Sequence, residues 1–471
     1  MIFISFGLFM LSFIFIGLLS TIKSKRTSED YLLASYSEKP WLIALSAVAT
    51  NNSGYMFIGV IGYTYVNGIS SLWILLCIII GDLCASFFVY KNLRIVSQKA
   101  KALSFPEALS KWSGEEYKII RILSAVILIL FLSVYAAAQL RAGGKALHVL
   151  FGWNNLIGSL IGTIIVIAYC ASGGIRASIW TNTAQSFVMI FSMAVLFYMA
   201  INKIGGFADF INNLKTISPN YFSIYPVNQI DNKNLGLACF LFGWFFGGFG
   251  IIGQPHIMTS FMAMNKPESI NKIRIYYYSW YIVFFLLTIG VGLASRILLP
   301  YYQGFDPELA LPTLSQNILP EILVGFVLAG LFSATMSTAD SQIICCAGAI
   351  TNDLMPSKRN NYMVAKKSTI VVAIFAMIIS VVDSQSVFSL VMLGWLALAC
   401  SYSPLIIIYC FGGKMSEKLA LISMITGFSS MMIWRYLGLG AIIYEAAPGI
   451  IFGLMPYIVS KIKCHILAKN L

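Results

Sequence analysis

The stretch ATNNSGYMFIG, residues 49 to 59, places Thr50, Asn51, Asn52, Ser53 and Gly54 in a row inside an otherwise apolar run. A segment that crosses lipid must satisfy its own backbone groups unless it lines a cavity or is buried in protein. Side-chain amides and hydroxyls offer the backbone alternative hydrogen bonds, so this stretch reads as a deliberate break in a spanning helix. The rest of the chain supports that setting. Of 471 residues, 59% are hydrophobic and only 10% charged, a composition of integral membrane proteins rather than soluble ones.

Apolar stretches long enough to cross ~30 Å of hydrocarbon predict an all-α integral membrane protein with about thirteen transmembrane helices. They fall at 2–21, 40–66, 70–91, 119–150, 155–175, 177–201, 235–263, 275–300, 317–350, 368–383, 386–412, 418–437 and 440–461. The loops between them are short, so residues 1–471 form one transmembrane domain. An odd number of spans puts the termini on opposite faces. With the N-terminus outside and the C-terminus cytoplasmic, about 24 of the 31 Lys and Arg residues lie inside and about five outside, as the positive-inside rule asks.

The formal charge of +13 is therefore mostly a topology signal. Basic residues scattered over many short loops, with no single patch, argue against a nucleic-acid surface. The first helix lacks a basic residue before its apolar run and is too long for a signal peptide, so it reads as a true span. The nine cysteines, Cys77, Cys84, Cys170, Cys239, Cys345, Cys346, Cys400, Cys410 and Cys464, form no CxxC or Cys/His cluster. They read as small packing residues, with no disulfide framework and no zinc-type site.

A second break is spelled by GWFFGGFGIIGQPHI, residues 243 to 257. It opens the second of two possible five-helix sets, about 40–201 and 235–412, which an odd number of intervening spans would invert relative to each other. Paired interrupted helices in inverted repeats point to the midplane binding site of a secondary transporter. Gly243 and Gly247 also form a GxxxG pair, for which tight helix packing is an equal explanation. Packing does not call for the amides and hydroxyls of the first break.

The third polar island is SATMSTADSQ, residues 333 to 342. Ala334, Ser337, Thr338 and Ser341 follow the i, i+3, i+4, i+7 spacing and share one helix face, with Asp340 beside them. Hydroxyls, carbonyls freed by a broken neighbour and one carboxylate make a hard-oxygen site. Sodium suits it better than magnesium, which wants more carboxylate, or zinc, which wants His or Cys. An intramembrane acid costs about 2.5–3.5 kcal/mol on the insertion scale, so Asp340 needs a partner or a function.

Taken together, Ala49 to Gly59, WTNTAQ at 180–185, GQPHI at 253–257 and MSTADSQ at 336–342 resemble the sodium:solute symporter family, nearest its sodium/proline and sodium/pantothenate branches. The resemblance runs through almost the whole chain. It implies a leucine-transporter-type fold, a five-plus-five inverted repeat with one helix before it (2–21) and two after (418–437, 440–461). It implies a sodium site formed by the carbonyls of Ala49, Asn52 and Ala334 with the hydroxyls of Ser337 and Thr338. A second cation site would use Asn182, Asp340 and Ser341. The substrate would meet Asn51, Ser53, Gly54, Tyr55 and Tyr135 at the first break, and Gly247, Ile251, Gln254 and Pro255 at the second. Asn51 and Asn182 stand where proline-branch members usually carry aspartate, and Gly247 and Ile251 where they carry aromatics.

Other ionisable residues have plainer readings. Arg141 either meets an anionic substrate or serves packing and the outer vestibule, while Lys145 reads as a snorkelling residue. Asp82 sits mid-span with a polar neighbour. His256 reads as a structural hydrogen-bonding residue, and His148 and His465 lie at an interface and in the tail.

The function this predicts is sodium-coupled uptake of a small, carboxylate-bearing organic solute, such as proline or a pantothenate-like or sialic-acid-like acid, by alternating access in the cell (inner) membrane. It needs no cofactor beyond the coupling sodium, and its partners are the solute, sodium and the bilayer, with no obligate protein partner. Alternatives are a proton-coupled symporter using Asp340, or a solute sensor acting through a separate protein. An enzyme is disfavoured because no Ser-His-Asp or Cys-His pairing occurs, and no GxxxxGK[ST] sequence implies nucleotide use.

Overall fold

The computed structural model describes residues 1–226, 230–299, 304–359, 361–382 and 387–469, and these are almost wholly helical. The main helices are α1 (Ile2–Ser20), α2 (Pro40–Asn51), α3 (Ile61–Asn67), α4 (Leu72–Phe88), α5 (Lys118–Phe151), α6 (Asn155–Ile204) and α7 (Lys233–Phe249). They continue with α8 (Pro255–Met262), α9 (Ile270–Leu298), α10 (Glu321–Ala349), α11 (Tyr362–Val382), α12 (Val387–Cys410), α13 (Glu417–Tyr436) and α14 (Ala446–Lys469). The expected span ends at residues 300, 383 and 386, and the Cys464 side chain, lie outside the described residues.

Among the described residues, nine segments are long and apolar enough to cross a membrane. The lower number than expected arises in part where one helical run covers two expected spans. Leu156–Ile204 is such a run of 49 residues. Straight, it would extend ~75 Å at the α-helical rise, more than twice the hydrocarbon thickness. Gly174 divides it, with φ 59° and ψ −143°. A side chain there would also place Cβ 2.2 Å from the Tyr31 carbonyl oxygen, so only glycine serves.

Burial sorts the helices by depth. In the most apolar windows of α10 and α12, 83% of residues are buried, against 28% for α1. Phe3, Leu8, Leu11 and Phe15 of α1 face outward. This exposed side suits lipid, which is as apolar as the side chains it meets. α10 packs on α1, α5 and α6, and α12 packs on α5, α13 and α14.

The two expected breaks are both present. α2 ends at Asn51, and after Asn52 to Gly54 the chain resumes as a π-turn, Tyr55–Val60, that leads into α3. α7 ends in the tight turn Gly250–Gly253, Gln254 is extended, and Pro255 opens α8. Proline suits that position because its missing N–H would have no helical partner there.

Several basic residues do more than mark topology. Arg176 is buried and pairs with Asp30 at 2.5 Å and Glu38 at 2.8 Å. Arg121 pairs with Glu116 at 2.6 Å and Asp353 at 2.8 Å. Glu107, itself fully buried, accepts from Lys111 at 2.8 Å and Arg359 at 3.0 Å. Lys145 does not snorkel: its ammonium group pairs with Glu308 and, at 3.3 Å, with Asp306. Carboxylates on the Pro307 turn offer it a better partner than interfacial water.

Candidate functional site

The end of α2 and the middle of α10 meet hydroxyl to carbonyl. Ser337 Oγ donates to the Ala49 carbonyl at 3.2 Å and to that of Ala334 at 3.1 Å. Thr338 Oγ1 lies 2.8 Å from the Thr50 carbonyl and 3.1 Å from that of Ala334. All five residues are fully buried. The Ala49 and Thr50 carbonyls are available because α2 stops before it can supply amide donors to them. Ala49, Ala334, Ser337 and Thr338 thus come together as expected, and the Thr50 carbonyl joins them. Asn52 is less engaged. It caps α2, and its side-chain amide donates back to the Val48 carbonyl at 2.8 Å.

One turn further along α10 lies a second buried polar cluster. Asp340 accepts from Tyr169 and Ser178, each at 2.9 Å, from Ser341 at 2.9 Å and from Asn182 at 3.3 Å. Ser341 and Asn182 also reach the Thr50 hydroxyl, at 3.1 and 3.3 Å. The expected trio of Asn182, Asp340 and Ser341 is therefore one cluster, and Thr50 links it to the Ser337 and Thr338 oxygens. Tyr169 and Ser178 were not anticipated from the sequence. They come from opposite sides of Gly174, and no local pattern signals that both halves of α6 converge on one carboxylate.

At the first break the freed groups find protein partners. The Gly54 amide donates to Gln139 Oε1 at 2.8 Å, Asn51 donates to the Tyr277 hydroxyl at 2.8 Å, and Ser53 and Tyr135 hydroxyls are 3.3 Å apart. Gly54 sits at a close approach, since a Cβ would lie 2.6 Å from Thr335 Cγ2 and that side chain would have to shift to admit it.

Beside this break is a mostly apolar cavity. Of the nine residues expected at the substrate, Asn51, Tyr55, Tyr135 and Gly247 line it. Ser53, Gly54, Ile251, Gln254 and Pro255 do not. Ser53 and Gly54 are turned into the hydrogen bonds above, and Gln254 Nε2 donates to the Trp395 carbonyl at 2.9 Å. Ile251 and Pro255 are packed in the core of the second break. Aromatic residues complete the wall: Trp244, Tyr281, Phe285, Trp395 and Tyr444. Trp244 was readable in principle, because it lies three residues before Gly247 on the same helical face. The others come from α9, α12 and the loop before α14, and only folding brings them here.

None of the lining residues carries a charge. Arg141 is half-buried and is not among them. His256, expected to make a structural hydrogen bond, is fully buried with neither ring nitrogen bonded among the described residues. Its ring stands edge-on to Tyr135, with centroids 5.6 Å apart. Asp82 is also buried and accepts a hydrogen bond from the Tyr90 hydroxyl.

Residues 31–427 match the sequence profile of the Sodium:solute symporter family. The chain belongs to this family. Among its curated relatives, the high-affinity proline transporter PutP of Bacillus subtilis (strain 168) is 28% identical over 446 residues, covering 92% of each chain. The sodium/proline symporter of Escherichia coli (strain K12) is 28% identical over 474 residues, covering 97% of this chain and 92% of the other. Among solved structures, a substrate-bound, outward-open Na+-coupled sialic acid symporter superimposes with TM-score 0.82 at 16% identity, covering 97% of this chain and 95% of that one. Mhp1, a nucleobase-cation-symport-1 family transporter in a closed conformation, gives TM-score 0.62 at 13% identity, covering 94% and 95%. At these identities the likeness speaks for the fold alone, which is the leucine-transporter type. As a sodium:solute symporter family member, the protein is a multi-pass membrane transporter and not an enzyme.

Proposed function

We propose that this protein couples the inward movement of sodium to the uptake of a small organic solute bearing a carboxylate, an amino acid such as proline or a pantothenate-like or sialic-acid-like acid, by alternating access. The observation that carries this reading is the meeting of Ser337 and Thr338 with the carbonyls at the end of α2. Hydroxyl and carbonyl oxygens with no charge of their own form a weak, hard site from which a monovalent cation can depart. Its two halves belong to different helices, so sodium bound there would hold α2 against α10. Because α2 also borders the solute cavity through Asn51, occupancy of one site favours the geometry of the other, which is the coupling required.

In the same reading, thirteen segments cross the membrane with the N-terminus outside and the C-terminus cytoplasmic, in the cell (inner) membrane. Residues 40–201 and 235–412 form the inverted repeats. The uncharged cavity would hold a carboxylate by the polar side chains that line it, such as Asn51 and Tyr135, rather than by an ion pair. Each sodium entering brings about 2.3 kcal/mol per 100 mV of membrane potential, in addition to its concentration ratio.

The Asp340 cluster supports a second reading, in which a proton carried by that carboxylate replaces or accompanies sodium. Asn182, Asp340 and Ser341 would then be a proton site or a second cation site. One experiment separates these. Thermal stabilisation of the purified protein is measured with amino acids, pantothenate and sialic acid, in sodium and with choline in its place. Stabilisation confined to sodium supports the coupled site. Stabilisation that ignores sodium but follows pH moves the proton reading ahead.

A further inference from the structure

We propose that Tyr444, in the loop between α13 and α14, is the outer wall of the substrate cavity and limits the size of the solute that enters it. This inference rests on the cavity beside the first break being the substrate site and on the proposed orientation. Tyr444 lies outside both expected repeats, yet its side chain lines this cavity together with Asn51 and Tyr135. It also lines a second, more polar cavity on the loop side, with Arg435 and Glu445. Tyr444 therefore stands between the two spaces, together with Trp244 and Met392, which also line both.

The seat of that ring is written in α7. Gly243 and Gly247 form the GxxxG pair, and a Cβ at 243 would lie 2.5 Å from the Tyr444 backbone nitrogen. A Cβ at 247 would lie 2.9 Å from Tyr444 Cε1. Between these glycines Trp244 stacks on Tyr444, with ring centroids 4.4 Å apart and planes 9° from parallel. The glycine pair thus receives a loop tyrosine, not the backbone of a neighbouring helix. From the other side the Tyr444 hydroxyl approaches Met392 Sδ of α12 at 4.0 Å. The loop itself is held next to this point, where Trp434 Nε1 donates to the Ile443 carbonyl at 2.9 Å.

This arrangement gives α7 an open face at Gly247 and fills it with an aromatic ring borrowed from the end of the chain. A ring on a loop can turn aside while the packed helices stay in place, so the wall is also the part that yields when a solute passes. Phenylalanine preserves the stack and the volume, whereas alanine removes the tyrosine's part of the wall and leaves Trp244 and Met392.

The test needs no known substrate. Val391, on the α12 wall of the inner cavity, is replaced by cysteine, and its modification by small and bulky membrane-impermeant thiol reagents is timed in intact cells against the parent chain. Tyr444→Ala is expected to accelerate the bulky reagent about tenfold or more, and the small one less, while Tyr444→Phe stays within about twofold. Gly247→Ala, which displaces the ring without removing it, should shift the rates the same way. Unchanged rates in both Tyr444→Ala and Gly247→Ala would overturn the proposal, as would acceleration only when reagent reaches the opposite face in inverted vesicles. A solute that stabilises the protein with sodium should slow the labelling of Val391→Cys. If it does not while the Tyr444 effect persists, the cavity is not the substrate site and the size-limiting role is overturned with that reading.

Discussion

At the scale of single residues, the two hydroxyls of α10 carry the cation reading. A hydrogen-bonding or ligating hydroxyl contributes about 0.5–1.5 kcal/mol, with a larger loss when a buried partner is left unsatisfied. Ser337→Ala and Thr338→Ala are each expected to weaken apparent sodium affinity by roughly 5–30-fold, read as the sodium concentration for half-maximal stabilisation or uptake. Thr338→Ser, which keeps the oxygen, should stay near the parent. Asn182 offers a different test, because its amide nitrogen is 3.3 Å from Asp340 Oδ1. Asn182→Asp would set a second carboxylate beside the first, and like charges that close cannot both ionise without a cation between them. The variant should melt lower than the parent in choline and gain more from sodium than the parent does. An equal gain in both proteins would count against a cation at this cluster.

At the scale of elements, the breaks decide what the helices can do. Gly174→Ala puts a Cβ 2.2 Å from a backbone oxygen at a positive φ. Neither can give way cheaply, so a loss of about 3 kcal/mol or more is expected, seen as poor yield of monodisperse protein. Gly54→Ala meets side-chain atoms alone: the Thr335 methyl at 2.6 Å, the end of Gln139 at 3.0 Å and the Ala142 methyl at 3.4 Å. It should fold, with a lowered response to solute. The TNNSG and GQPHI breaks and the polar face of α10 were legible from residue types and helical spacing, and its nearness to the first break from the family resemblance. The identity of the carbonyls was less so. The Thr50 carbonyl meets the Thr338 hydroxyl because α2 ends at Asn51, and a boundary shift of one or two residues changes which oxygen points across.

For the whole molecule, buried ion pairs tie distant segments together on the face proposed to be cytoplasmic. Arg176 clamps the segment before α2 through Asp30 and Glu38, and Arg121 joins the start of α5 to Asp353 just past α10. Breaking such a pair at one partner leaves a buried charge and costs about 3–5 kcal/mol. Arg176→Gln is therefore expected to lower the melting temperature and, in the proposed orientation, to raise access of thiol reagents from the cytoplasmic side, where solute release would take place. Asp30 adds a pH signature. Burial alone would raise its acidity range, but the Lys25 amide and the Arg176 guanidinium outweigh burial and hold it below the usual carboxylate value. Because the folded value is depressed, its stabilisation is present above pH ~4 and lost as pH falls further. Asp30→Asn should lack that part of the acid slope in melting curves.

Hydropathy, charge bias and interrupted spans determined by themselves that the chain is helical, membrane-embedded and built around two breaks. Lipid leaves few alternatives, and these properties depend on local composition alone. The walls of the cavity, the donors around Asp340 and the seat of Tyr444 were decided by tertiary structure. They join residues separated by up to hundreds of positions, such as Gly243 and Tyr444, whose meeting depends on how whole helices pack. Periodicity within one helix shows which face is special, but not what comes to rest against it.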